Sequence, residues 1–179
     1  SHGSAGSIPN DETNNRATNF PDTKQYKTLV TDLHTHSVFS DGHVWPNIRV
    51  GEALRDGVDV LAVTEHLEYQ PHRADIPNPD RNKSFIEAKA AAGNSDILVI
   101  NGSEITRNMP PGHINAVFIK DANKLVKVDP SKEEEAQAEL AKRLDEMRGR
   151  DRKVVDFFAL ASMWPPEEAI QAANDQDAF

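Results

Sequence analysis

Apolar residues in this chain fall into short runs set between long polar stretches, and the lengths of those runs predict its elements. Residues 26–34, with Leu29 and Val30 inside them, read as a first strand. Residues 58–64 (Val-Asp-Val-Leu-Ala-Val-Thr) and 97–100 (Ile-Leu-Val-Ile) are more uniformly apolar, the pattern of strands buried on both faces of a parallel sheet. Between the first two, Pro46 suits the first turn of a helix, and Ile48, Val50, Ala53 and Leu54 supply its apolar stripe. Gly57 ends it. Strand, turn, helix, glycine and buried strand make a βαβ unit.

A long loop with Pro71, Pro77 and Pro79 follows, then a helix over 82–92 that closes near Gly93. Structureless loops of this length are functional or disordered as a rule. Pro110-Pro111-Gly112 makes a sharp turn, and residues 113–119 read as the next strand. Ser131 with Glu134 has the spacing of a capping box and opens a helix to about 148. Glu139/Arg143 and Lys142/Glu146 then sit at i,i+4 on a solvated face. Residues 154–158 fit a strand or a buried helix equally. Pro165-Pro166-Glu167-Glu168 starts a helix to about 173, and residues 177–179 read as the opening of another strand. Residues 1–24 are polar and are expected to form a flexible arm or linker, leaving 25–179 as one domain; His2 in that arm is read as inert.

Composition narrows the function. A chain of 179 residues, 37% hydrophobic and 27% charged, has enough material for one domain with a core. Its net charge of −9 argues against a nucleic-acid surface, which calls for clustered Lys and Arg. With no cysteine, disulfides and thiolate-bound zinc are excluded, and either cytoplasm or periplasm fits. No apolar run approaches a membrane span and no signal peptide is visible, so the expected location is cytoplasmic, or exported with a signal already removed.

The chemistry concentrates in Asp32-Leu33-His34-Thr35-His36-Ser37-Val38-Phe39-Ser40-Asp41-Gly42. In a strand, residues i and i+2 point to one side, so His34 and His36 aim at one spot, and Asp41 can return to it through the Ser-Asp-Gly turn. Neutral imidazoles with a carboxylate suit zinc, manganese or iron. His66 and Glu104 lie at or beyond the ends of later predicted strands, the edge where parallel α/β sheets build their sites. His113 begins its strand, and the short connection from Gly102 to Gly112 could bring it back to the same rim.

Asp32-Leu-His-Thr-His-Ser, Ser40-Asp41-Gly42, Leu61-Ala-Val-Thr-Glu-His66, Gly102-Ser-Glu104 and Gly112-His113-Ile, in this order, resemble the PHP family, the polymerase and histidinol phosphatase domains. The resemblance implies a metal-dependent phosphoesterase on a distorted (β/α)7 barrel with two or three divalent ions (Zn, Mn or Fe). It implies metal ligation by His34, His36, Asp41, His66 and His113, with Glu104 as the metal-bridging carboxylate. Glu104 and Asp41 are thereby the candidate catalytic residues. Glu65 stands where the family often has Asp. The family also completes its site with a later His-Pro pair and an Asp-x-His, and no histidine follows His113, so the barrel is expected to be incomplete in this chain.

Around that core, Arg73, Arg81 and Arg107 are candidates to grip a substrate phosphate, since guanidinium matches phosphate bidentately. Asp32 is placed to orient an imidazole. His43 and His72 fall outside the family pattern, and Trp45 and Trp164 read as packing residues. The expected partner is a small phosphorylated substrate. Three other readings stay open. One is a non-catalytic metal-binding module. Another is a metallohydrolase of the amidohydrolase type, for which no lysine lies at a comparable strand end. Polymerase-associated proofreading is the third, and the acidic charge argues against it.

Overall fold

Four strands form one curled sheet in chain order, an incomplete half-barrel of an α/β fold. The computed structural model describes residues 20–142 and 149–179. The chain runs β1 (Thr31–Thr35), α1 (Pro46–Arg55), β2 (Val60–Val63), α2 (Lys83–Ala92), β3 (Leu98–Ile105) and β4 (Ile114–Val117). Two short 3₁₀ turns, Ala122–Leu125 and Pro130–Lys132, lead into α3 (Glu133–Ala141), α4 (Arg152–Ala161) and α5 (Pro166–Asn174). β1, β2 and β3 are parallel, and β4 returns antiparallel on β3.

Side chains alternate across β2, and the alternation divides the core. Leu61 and Val63 pack with Val50 and Ala53 of α1, Ala88 and Ala92 of α2, and Val99 of β3. Val60 and Ala62 face the other side with Ile100 and Val117. A separate cluster joins Leu67, Ile105, Ala116 and Leu125 to Ala169 and Ala173 of α5. Pro46 and Gly57 bound α1 as the sequence predicts. No helix among the described residues is long and apolar enough to cross a membrane.

Several boundaries differ from the expectation, each for a local reason. β1 starts at Thr31, because turns take the earlier amides: Tyr26 N donates to Thr23 Oγ1 at 3.0 Å and Thr28 N to Asp22 Oδ1 at 2.8 Å. β3 runs on through Asn101-Gly102-Ser103-Glu104, which by composition reads as a turn. Pairing overrides composition here: Gly102 lies where a Cβ would sit 2.9 Å from both Ala116 O and Thr64 Cγ2, so neighbouring strands close on a bare backbone. The capping box does not form. Asp129 accepts from Ser131 N at 3.0 Å in the 3₁₀ turn that Pro130 starts, and α3 begins after it with no side-chain cap.

Residues 152–161 are helical, resolving the ambiguity over 154–158. Asp151 caps the helix by accepting from Lys153 N and Val154 N, and Val154, Val155, Phe158 and Ala161 are its buried face. α5 forms where the Pro-Pro-Glu-Glu start places it. Phe179 exchanges two 2.9 Å backbone hydrogen bonds with Val117, on the edge of β4 away from β3. Most of the polar arm (residues 1–19), and Arg143 and Glu146 of the two i,i+4 pairs, lie outside the described residues.

Candidate metal centre

The rim where β1, β2 and β3 end gathers four imidazoles and two carboxylates. β1 carries His34, with His36 one residue beyond its end, so the two rings reach the same side. Their Nε2 atoms are 2.8 Å apart and lie 2.9 and 3.0 Å from Glu104 Oε2. Glu104 is the last residue but one of β3, bridged to His66 on the β2 side and paired with Asn115 of β4, two residues after His113. His66 Nδ1 is 3.4 Å from Glu104 Oε2, and His113 Nδ1 bonds Glu104 Oε1.

The loop after His36 returns Asp41 to the rim. Gly42 makes the return possible: a Cβ there would lie 2.7 Å from His36 C, His36 O and Ser37 Cα. Asp41 Oδ1 is 2.9 Å from His36 Nδ1, and its Oδ2 is 3.4 Å from His66 Nε2. Three overlapping groups result, each with ligand atoms close enough to hold one cation: His34, His36 and Glu104; His36, Asp41 and His66; and His66, Glu104 and His113. The floor is buried and the mouth is open. Glu104 and His66 have side chains 2% and 7% exposed, whereas His34 and His113 are about half exposed.

The charge balance fits a cation site. Burial works against a charged His36, yet hydrogen bonds to Asp41 and Glu104 outweigh it and raise its pKa to about 9. Hydrogen bonds from His36 and His66 hold the Asp41 carboxyl well below the usual range. Burial would raise Glu104, but the hydrogen bond from His36 and the neighbouring His66 and His34 bring it down to about 2. In these shifts a proton on His36 plays the part that a bound cation would take over.

Two features of the site are absent from the sequence reading. Glu65, the departure from the family pattern, is buried. Its carboxylate accepts from Ser37 N at 3.0 Å and from the hydroxyls of Ser37 and Ser40, so it pins the loop between His36 and Asp41. Only a Ser-x-x-Ser spacing after the histidines hints at this. The other is a cavity of about 320 Å³ beside the rim, which Asp41, His66 and His113 share with Tyr69, Phe158 and Arg150.

The remaining candidates are scattered. Asp32 accepts from the His34 backbone N–H at 3.2 Å, so it holds main chain rather than an imidazole. Arg107 is buried in an ion pair with Glu68 and donates to Trp164 O at 3.0 Å; burial lowers its pKa to about 10. Arg81 donates to Gln70 Oε1 and Asn78 O, and Arg73 lies 3.7 Å over the Phe157 ring. None of the three lines the cavity beside the rim. His43 and His72 pair with each other at 6.3 Å, Trp45 packs edge-on to Phe39, and Trp164 packs against the α5 cluster.

No family model matches the chain, and no curated protein does. Among solved structures, it is similar to a two-domain protein from Bacteroides vulgatus that contains a predicted PHP-like metal-dependent phosphoesterase. Identity is 39% over 91% of this chain, with a TM-score of 0.68. The chain is homologous to a PHP-like protein. The chain spans 37% of the length of that relative. A candidate metal-dependent phosphoesterase from Bifidobacterium adolescentis matches at 18% identity and TM-score 0.44, over 84% of this chain and 52% of its own. An amidohydrolase from Chromobacterium violaceum, with bound sulfate and no metal, matches at 22% and 0.43, over 80% and 47%. At those scores neither adds to the comparison.

Proposed function

We propose that this chain carries the metal centre of a phosphoesterase that hydrolyses a small phosphorylated substrate, on part of a (β/α)7 barrel of the PHP type. The observation that supports it most is Glu104: a buried carboxylate whose two oxygens face different imidazoles, His34 and His36 on Oε2 and His113 on Oε1. Such a carboxylate is placed to bridge two ions.

Imidazole chemistry limits how the donors divide. A neutral ring offers one lone pair, so its second nitrogen must donate a proton elsewhere. His36 Nε2 faces His34 and Glu104 while its Nδ1 faces Asp41, which assigns Nε2 to the ion and Nδ1–H to Asp41. His66 Nδ1 lies 2.6 Å from Thr106 Oγ1, which leaves Nε2 and Asp41 Oδ2 for a further ion. The donors thus divide into His34, His36 and Glu104; Glu104 and His113; and Asp41 with His66. Zinc, manganese and iron all suit this set.

Divalent ions held there lower the pKa of water toward neutrality and neutralise charge on a phosphoryl group. The chain's own residues supply the rest. Glu104 fixes the spacing of the donors, Glu65 and Gly42 hold the loop that presents Asp41, and the exposed His34 and His113 leave the mouth open to a substrate. Turnover of an aryl phosphate by the manganese- or zinc-loaded chain, lost with a chelator and regained on reloading, is the expected result. Full metal occupancy with no turnover of any phosphoester would favour the non-catalytic module.

A further inference from the structure

The cavity beside the rim contains a cation that the metal centre does not use. Arg150 is exposed, lines the cavity with Asp41, His66 and His113, and has no carboxylate partner among the described residues. Its guanidinium carbon lies 5.2 Å from the centre of the Tyr69 ring, and that ring stands edge-on to His66 at 5.8 Å. These two distances put the Arg150 guanidinium within about 11 Å of the His66 ring. Seating on an aromatic face engages the guanidinium plane and leaves its N–H edge free to meet an anion. Arg81, by contrast, directs Nη1 at Gln70 and Asn78, and Arg107 directs its two Nη groups at Glu68 and Trp164.

The other walls indicate what accompanies the anion. Tyr69 packs edge-on to Phe158 at 6.4 Å, and Val155 lies beside them, so the cavity passes from charged donors to an aromatic and apolar wall. At about 320 Å³ it sits at the small end of ligand pockets, which run from roughly 300 to 1,000 Å³. That space suits a phosphomonoester with one compact organic group better than a polynucleotide. A monoester also presents more free phosphoryl oxygens than a diester, enough for both the metal donors and a guanidinium fork.

Resting on the phosphoesterase reading, we propose that Arg150 grips the phosphate of a small phosphomonoester whose aromatic or apolar portion lies against Tyr69 and Phe158. The test is calorimetric binding of inorganic phosphate to the manganese-loaded full chain, as wild type, Arg150→Ala and Arg150→Lys, with metal content measured in each. Arg150→Ala is expected to weaken phosphate about ten- to a hundredfold at unchanged metal content, as loss of a charge-assisted pair does, and Arg150→Lys to recover part of it. Phenylphosphonate is expected to bind more tightly than methylphosphonate. Phosphate affinity that is unchanged in Arg150→Ala, or absent in the loaded wild type, overturns the assignment. Equal affinity for the two phosphonates overturns the apolar wall. Phosphate binding that depends on Arg150 without hydrolysis of any phosphoester leaves the assignment standing and sinks the phosphoesterase reading. Hydrolysis with neither phosphate affinity nor KM altered in Arg150→Ala does the reverse.

Discussion

Glu104 and Glu68 are both fully buried carboxylates, yet they sit in regions built on different terms. Around Glu68, at the junction of the β3 end with α4 and α5, the partners are fixed: the Arg107 guanidinium and the Thr106 backbone N–H, with Trp164 O taking a further Arg107 donor. Every charge there has its counter-charge within the protein. Around Glu104 the partners are imidazoles, neutral unless protonated and able to turn a lone pair inward. The first arrangement is complete without a ligand. The second becomes complete by taking up protons or cations, which is why only it reads as a reactive centre.

Breaking either carboxylate should therefore have opposite signatures. Glu104→Gln is expected to remove the shared ligand, lowering metal content measured by mass spectrometry and cutting phosphoester turnover by about a thousandfold. Its effect on unfolding of the metal-free chain should be small by comparison. Glu68→Ala leaves Arg107 buried without its partner and is expected to destabilise the fold by about 3–5 kcal/mol in urea unfolding, as removal of one member of a buried pair does. Metal stoichiometry of whatever remains folded should not change. If Glu68→Ala emptied the centre while Glu104→Gln left it filled, the comparison would be inverted.

Smaller changes sharpen the boundary of the reactive region. Gly42→Ala puts a Cβ onto the His36 and Ser37 backbone, so the loop must shift and Asp41 with it. Metal affinity is expected to fall about ten- to a hundredfold, the range seen when supporting groups around ligands are lost. Glu65→Gln keeps the shape but weakens the acceptor for Ser37 and Ser40. A loss of about tenfold in affinity, read by metal titration, is expected. Asp32→Ala, which touches only the His34 N–H, should move stability by no more than about 0.5 kcal/mol and leave metal content alone.

What could be read in advance followed the range of the interaction. His34 and His36 were legible because strand geometry alone puts them on one side, and Asp41 because its turn follows directly. The β2 strand and α1 were legible from apolar pattern, proline and glycine. Glu104 was legible at the end of its strand, but the extension of β3 to Ile105 depends on pairing with β4, a non-local event that Asn-Gly-Ser does not announce. The capping box failed because Asp129, two residues before Ser131, takes the Ser131 amide that the Glu134 side chain would reach. Glu65, Glu68 and Arg150 owe their roles to neighbours 25 to 81 residues away and had no local signature.

Glu104 is placed to join ions on both its oxygens. Anomalous diffraction from crystals of the zinc- or manganese-loaded chain tests it most directly. Two metal peaks flanking the Glu104 carboxylate are expected, one with His34 and His36 and the other with His113. A single ion bound through one oxygen, or full occupancy with Glu104 outside the coordination sphere, would contradict it.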